Sequence, residues 1–150
     1  MTSFANLPPV LLADDDPDDC TLTVEAFRRA DLVNPFRCVN SGEKVIEYLR
    51  GCLASGDVNC FPALILLDLN MPRMDGREAL HEIKTDPDFK RIPVIIWTTS
   101  NAEDDMERTR VAGCDGYLTK PTSFGEMIEL MRAIGERWLQ PGGHAAETKK

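Results

Sequence analysis

Residues 10–19 read VLLADDDPDD: four apolar residues, then five carboxylates interrupted by one proline. An apolar run without polar alternation is the pattern of a strand buried on both faces, as in a parallel sheet covered by helices. Like charges this dense repel one another. Two carboxylates ~4 Å apart cost roughly 4 kcal/mol at an effective dielectric of ~20. A buried strand that ends in such a cluster therefore raises two questions: what sheet it belongs to, and what neutralises its end.

Two further runs share the pattern, ALILL at Ala63–Leu67 and VIIW at Val94–Trp97. FRCV (Phe36–Val39) and GYLT (Gly116–Thr119) are weaker and suit the sheet edges. Between these runs the apolar residues recur with helical spacing. Cys20, Val24 and Phe27 form one stripe, Val45, Leu49 and Cys52/Leu53 a second, and Ala79, Leu80 and Ile83 a third. Phe124, Met127, Ile128, Met131, Ile134 and Trp138 make the longest apolar face. Strand and helix alternate five times, so right-handed crossovers place helices on both sides of one open parallel α/β sheet.

The chain has 150 residues, enough for one domain with a single sizeable core. The expected organisation is an arm over 1–8, the domain over 9–140 and a disordered tail, PGGHAAETKK, over 141–150. No second domain fits after residue 140, so any output is expected from the domain's own surface. Only ASGDVNCFP (Ala54–Pro62) reads as a longer loop.

Net charge is −8, from 17 basic and 25 acidic residues, which argues against binding a nucleic acid and suits a protein partner or a cation. No apolar run is long enough to span a bilayer and the N-terminus lacks a secretory pattern, so no membrane association and a cytoplasmic location are expected. The five cysteines are odd in number, scattered and without a CxxC pair. Reduced, partly buried thiols are the expectation.

Ligands of open α/β sheets bind at the carboxyl ends of the strands. Those ends read Asp14-Asp15-Asp16, Asp68-Leu69-Asn70, Thr98-Thr99-Ser100 and Lys120-Pro121. Several carboxylates in one crevice need a cation to stay ionised. Oxygen ligands without His or Cys select a hard metal, Mg²⁺ first, with Mn²⁺ or Ca²⁺ behind it. A hydroxyl and a lysine facing the metal are what a phosphoryl group needs on its remaining oxygens.

Through VLLADDDPDD, LILLDLNMPRMDG, IPVIIWTTS and GYLTKP, four motifs in order over nearly the whole chain, the sequence resembles the receiver domain of two-component response regulators. The resemblance implies a flavodoxin-like (βα)5 fold with strand order 2-1-3-4-5. It implies Asp68 as phosphoacceptor, charged from a histidine kinase with Mg²⁺. Asp15, Asp68 and the backbone carbonyl of Asn70 would then be direct metal ligands, with Asp14 acting mainly through a metal-bound water. Lys120 would pair with one phosphoryl oxygen and Thr98 would donate its hydroxyl to another, Thr99 being the neighbour that a register error would promote. Tyr117 matches the aromatic switch position, turning inward as Thr98 moves and so coupling the phosphoryl group to the surface of the fourth helix, fifth strand and last helix. The Lys120–Pro121 bond is expected to be cis. Asn70 and Ser100, two positions beyond Asp68 and Thr98, flank the path of an attacking water.

The opening aspartates divide under this reading. Pro17 suits a first helical turn, Asp16 its N-cap, and Asp18 and Asp19 the positive end of the helix dipole. That leaves Asp14 and Asp15 as ligands. The chain departs from the family pattern at Cys114, where small residues such as Ala are common, and in its longer loop before the third strand. That loop, NMPRMDGREAL, WTTS and the C-terminal tryptophan resemble the stand-alone regulators, some of which partner bacterial phytochrome-type kinases. A homodimer through the face of the fourth helix, fifth strand and last helix, or through the C-terminal region at Trp138 and Leu139, is a further candidate contact. Three other functions compete. A relay shuttle to a histidine phosphotransfer protein would share the whole site. A haloacid-dehalogenase-type phosphatase would need a second Asp where Asn70 stands, and Asn has no titratable proton to give. An FMN binder would need a hydroxyl- and Gly-rich phosphate loop in place of the aspartates.

Overall fold

The computed structural model describes residues 7–71 and 74–139. Most of the expected arm and the whole expected tail lie outside the described residues. Five strands alternate with five α-helices: β1 (Val10–Ala13), α1 (Pro17–Arg29), β2 (Phe36–Val39), α2 (Gly42–Ser55), β3 (Leu64–Leu67), α3 (Gly76–Thr85), β4 (Val94–Thr98), α4 (Glu103–Ala112), β5 (Gly116–Thr119) and α5 (Phe124–Trp138). All strand pairs are parallel and the order is β2-β1-β3-β4-β5. This is the flavodoxin-like arrangement expected from the sequence.

The three apolar runs are the three central strands, and every residue in them is buried. Alternate side chains enter two separate cores. Leu11, Ala13, Ile65, Leu67, Val94 and Ile96 meet α2 and α3. Val10, Leu12, Leu64, Leu66, Ile95 and Trp97 meet α1 and α5. Burying one such aliphatic side chain stabilises the fold by ~1.5–3 kcal/mol, so the two-sided burial of β1, β3 and β4 is the dominant favourable contribution. The edge strands are only partly covered, and β2 alternates little because one flank is open.

The helix starts follow the side-chain chemistry of the preceding residue. Asp16 caps α1 by accepting the Asp18 N–H at 2.9 Å, with Pro17 in the first turn. Ser41 and Ser123 cap α2 and α5, and Asp75 and Glu78 form a reciprocal capping box on α3. α4 differs: Ala102 precedes it without a side-chain cap, and Thr109 is its one buried residue. No helix of the described residues is long and apolar enough to cross a membrane.

Two expectations fail here. Cys52 and Cys60 are not reduced thiols but a disulfide with a Cα–Cα separation of 5.3 Å. Gly56 ends α2 in the left-handed region (φ 72°), and a 3-10 turn at Val58–Cys60 returns the chain beneath the last turn of α2. The segment read as a loop is therefore a compact reversal that brings two cysteines eight residues apart together. Cys20, Cys38 and Cys114 are free. The second correction is Lys120–Pro121, which is trans, since the described residues contain no cis peptide bond. Trans is the lower-energy state of an X–Pro bond by about 0.5–1 kcal/mol, and Lys120 reaches its partners from it.

Candidate functional site

The parallel register brings the ends of β1, β3, β4 and β5 to one rim. Asp14 follows β1, its N–H bound to Val39 at 3.0 Å, and Asp68 follows β3, its N–H bound to Ala13 at 3.0 Å. Lys120 follows β5 and donates its N–H to the Thr98 carbonyl at 2.7 Å. Asp14 (2% exposed), Asp68 (6%) and Thr98 (0%) are buried polar residues in a domain whose interior is otherwise almost wholly apolar. Such groups are tolerated only when paired.

Their pairing is dense. The Lys120 ammonium lies 2.5 Å from Asp14 Oδ2, 3.0 Å from Asp68 Oδ2 and 3.1 Å from Asp19 Oδ2. The other Asp68 oxygen accepts the Thr98 hydroxyl at 2.9 Å and the Asn70 N–H at 3.1 Å. Asp14 Oδ1 accepts the Asp16 N–H at 3.0 Å. Burial pushes the Asp14 carboxyl up from its ordinary range, and the hydrogen bonds from Lys120 and Asp16 pull it only part of the way back. For Lys120, burial works against the charge, but the hydrogen bonds and charges of Asp14 and Asp68 outweigh it and raise its pKa. The ammonium is thus held charged by the carboxylates it neutralises.

The structure brings Asp14, Asp68, Thr98 and Lys120 into direct contact, as the strand ends imply. Thr98 is buried and donates to Asp68, whereas Thr99 is exposed. Asp15 and Asn70 sit exposed at the rim. Asp19 departs from the expectation: besides opening α1 it accepts from the Lys120 ammonium, which follows β5, at 3.1 Å. The Tyr117 ring packs against the core beneath α2 and α3, and its hydroxyl donates to the Ser100 carbonyl of the β4–α4 loop at 2.8 Å.

Among the described residues, no three carboxylate, imidazole or thiol side chains form a ready-made coordination shell; the carboxylates gather around Lys120 instead. The donor set still fits a hard divalent cation. One ammonium faces three aspartates, an excess of negative charge remains, Asp15 adds another carboxylate at the rim, and every donor is oxygen.

Gly76, at the first residue of α3, carries a requirement that motif reading missed. A Cβ there would lie 2.2 Å from the Asp68 carbonyl oxygen and 2.8 Å from Leu69 Cα. Only hydrogen fits between α3 and the backbone of the site's central aspartate. Gly76→Ala is expected to cost ~1–3 kcal/mol as an overpacked contact and to displace Asp68. Urea unfolding measures the first effect, and the Asp68 amide resonance reports the second.

Comparison with known proteins agrees with this geometry. The response regulator receiver domain family matches residues 10–132. The response regulator Rcp1 of Synechocystis sp. is 35% identical over 143 residues, covering 93% of this chain and 95% of that protein. The crystal structure of the phosphorylated cyanobacterial phytochrome response regulator RcpA superposes with a TM-score of 0.80 at 36% identity, over 89% of this chain and 95% of that one. The Mn²⁺-bound form of Rcp1 superposes at 0.77 with 34% identity, over the same 89% and 95%. With all five strands and all four strand-end motifs inside the matched region, this chain belongs to the response regulator receiver family, signalling domains that typically bind a divalent metal and act through phosphorylation.

Proposed function

We propose that the chain accepts a phosphoryl group from a histidine kinase onto Asp68 and signals by a change in its α4–β5–α5 face. One observation carries this reading: the two Asp68 oxygens are each met by a donor, Thr98 Oγ1 at 2.9 Å and Lys120 Nζ at 3.0 Å. A phosphoryl group added to Asp68 would carry its charge to where a hydroxyl and an ammonium already point. The carboxylate is the nucleophile and must be ionised to attack. Transfer then needs positioning and charge neutralisation more than acid–base machinery.

Asp15, Asp68 and the Asn70 carbonyl are the direct ligands we assign to Mg²⁺, with Asp14 acting through a bound water. Bound Mg²⁺ supplies positive charge that draws in the donor phosphate and offsets the negative charge of transfer. Thr98 holds one oxygen side and Lys120 the other, while the apolar ends of β1 and β3 keep bulk water behind the site. The protein's only chemistry in this reading is the gain and loss of its own phosphoryl group. Similarity to the phytochrome response regulator RcpA supports a phytochrome-type photoreceptor kinase as donor, and the cytoplasm is the compartment we assign. No contact favours a relay shuttle over a terminal regulator.

Incubated with acetyl phosphate and Mg²⁺, the full chain is expected to gain one phosphoryl mass by intact-mass spectrometry. With the cation removed by chelator the gain should vanish. A wild-type chain that takes up no phosphate would overturn the reading, and equal uptake with chelator would remove the metal from it.

A further inference from the structure

α4 is the helix least able to hold itself in place. Thr109 is its one buried residue and it lacks a side-chain cap, yet it follows directly on the loop that leaves β4 at Thr98 and carries Ser100. Its attachment at that end is ionic. Arg77 of α3 donates from Nε and Nη2 to Asp105 Oδ1 at 3.0 and 2.7 Å, and from Nη1 to Asp75 Oδ2 at 3.3 Å. The second Asp105 oxygen accepts the Ser100 hydroxyl at 2.8 Å. Ser100 in turn donates its N–H to Thr98 Oγ1 at 3.4 Å and accepts the Tyr117 hydroxyl at 2.8 Å.

These contacts form a closed circuit. It leaves β3 at Asp68, crosses to Thr98, passes through Ser100 and Asp105 to Arg77, and returns at Asp75 to the start of α3, the helix that follows β3. Tyr117 joins it at Ser100. The Asp105 side chain is 16% exposed and that of Arg77 33%, so solvent screens the pair less than an open surface pair. The guanidinium fork fixes direction as well as charge. The hydrogen bonds from Arg77 and Ser100 hold the Asp105 carboxyl below its usual range, so it stays ionised throughout the neutral region.

We infer that Asp105 and Arg77 are positioning residues: as one latch they hold the β4–α4 loop so that the Thr98 hydroxyl faces Asp68 and Tyr117 stays clamped to Ser100. The role of Thr98 in phosphoryl transfer rests on Asp68 as phosphoacceptor; the clamp on Tyr117 does not.

The test uses the full chain labelled with fluorotyrosine. It contains two tyrosines, so a Tyr48→Phe variant identifies the Tyr117 fluorine resonance. The rate of adduct formation from acetyl phosphate with Mg²⁺ is read alongside. Asp105→Asn and Arg77→Gln should each slow adduct formation about fivefold or more and should shift the Tyr117 resonance before any phosphate is added. The double variant should be no slower than the slower single one, and Arg77→Lys, with charge but no fork, should fall between. Ser100→Ala, which keeps the ion pair but cuts its link to the loop, should act in the same direction. Arg110→Ala breaks an exposed pair with Glu107 on the same helix and should behave as wild type.

An Asp105→Asn chain with the wild-type rate and an unmoved Tyr117 resonance would overturn the latch. So would single-variant effects that simply add, because the two residues would then act independently. A wild-type chain that takes up no phosphate would defeat the phosphoacceptor reading instead, and the fluorine shift would still decide the latch.

Discussion

Asp68→Asn is expected to take up no phosphate from acetyl phosphate under conditions in which the wild-type chain is modified. The substitution keeps the shape of the side chain and an oxygen that can accept from Thr98 and the Asn70 N–H, so the strand end should stay in place. An amide, however, is not the nucleophile that an ionised carboxylate is. The neighbouring aspartates do not replace it. Asp14 is buried with its oxygens committed to Lys120 and the Asp16 N–H, and Asp15 lies exposed. Loss should therefore be complete and should leave the unfolding midpoint near that of wild type. Intact-mass spectra and a thermal melt on the same sample measure both.

Lys120→Met should have the largest effect on stability. It removes the cation from among Asp14, Asp19 and Asp68, two of which are buried. Removing one partner of a buried ion pair costs about 3–5 kcal/mol, because the other charge is left uncompensated. At ~2–4 °C per kcal/mol for a chain of this size, the midpoint at pH 7 should fall by roughly 6–20 °C. The pH dependence has a definite sign. The pKa of Lys120 is raised on folding, so its contribution is fully present below the unfolded value near 10.4 and is lost as pH rises through the higher folded value. The gap between wild type and variant should therefore hold through neutral pH and close in strong alkali. It should also narrow in acid. The Asp14 carboxyl is raised by burial, so it favours the folded state when protonated, below the unfolded value near 3.9, and loses that contribution as pH rises through its folded value. With Asp14 neutral, the missing ammonium matters less. Urea titrations of both chains at pH 4, 7 and 11 measure the trend; a gap that widens in acid would contradict it.

Much of this was legible in the sequence because it is written in local pattern. β1, β2, β5 and α5 have the limits that the apolar runs and the long terminal stripe imply, while β3 starts one residue later and β4 runs on to Thr98. Burial on both faces leaves the central strands apolar up to Thr98 at the end of β4, so the runs mark themselves. The strand-end residues Asp14, Asp68, Thr98 and Lys120 were legible for the same reason, since parallel order alone carries them to one rim.

What escaped notice depends on contacts between distant side chains. That Asp19 reaches Lys120, 101 residues away, is a contact between distant side chains and has no local signature. Arg77 and Asp105 lie 28 residues apart and meet only because α3 and α4 pack side by side. The Cys52–Cys60 bond depends on the turn at Gly56, which folds a segment that composition alone marks as loop. The requirement at Gly76 appears only once the Asp68 backbone is packed against it.

The most direct measurement is to locate the phosphoryl group. Borohydride reduces an aspartyl phosphate to homoserine, and peptide sequencing by mass spectrometry of the phosphorylated, reduced chain reads the position. The account predicts homoserine at residue 68 and at no other aspartate. Homoserine at 14, 15 or 19, or a phosphorylated chain that yields none, would contradict it.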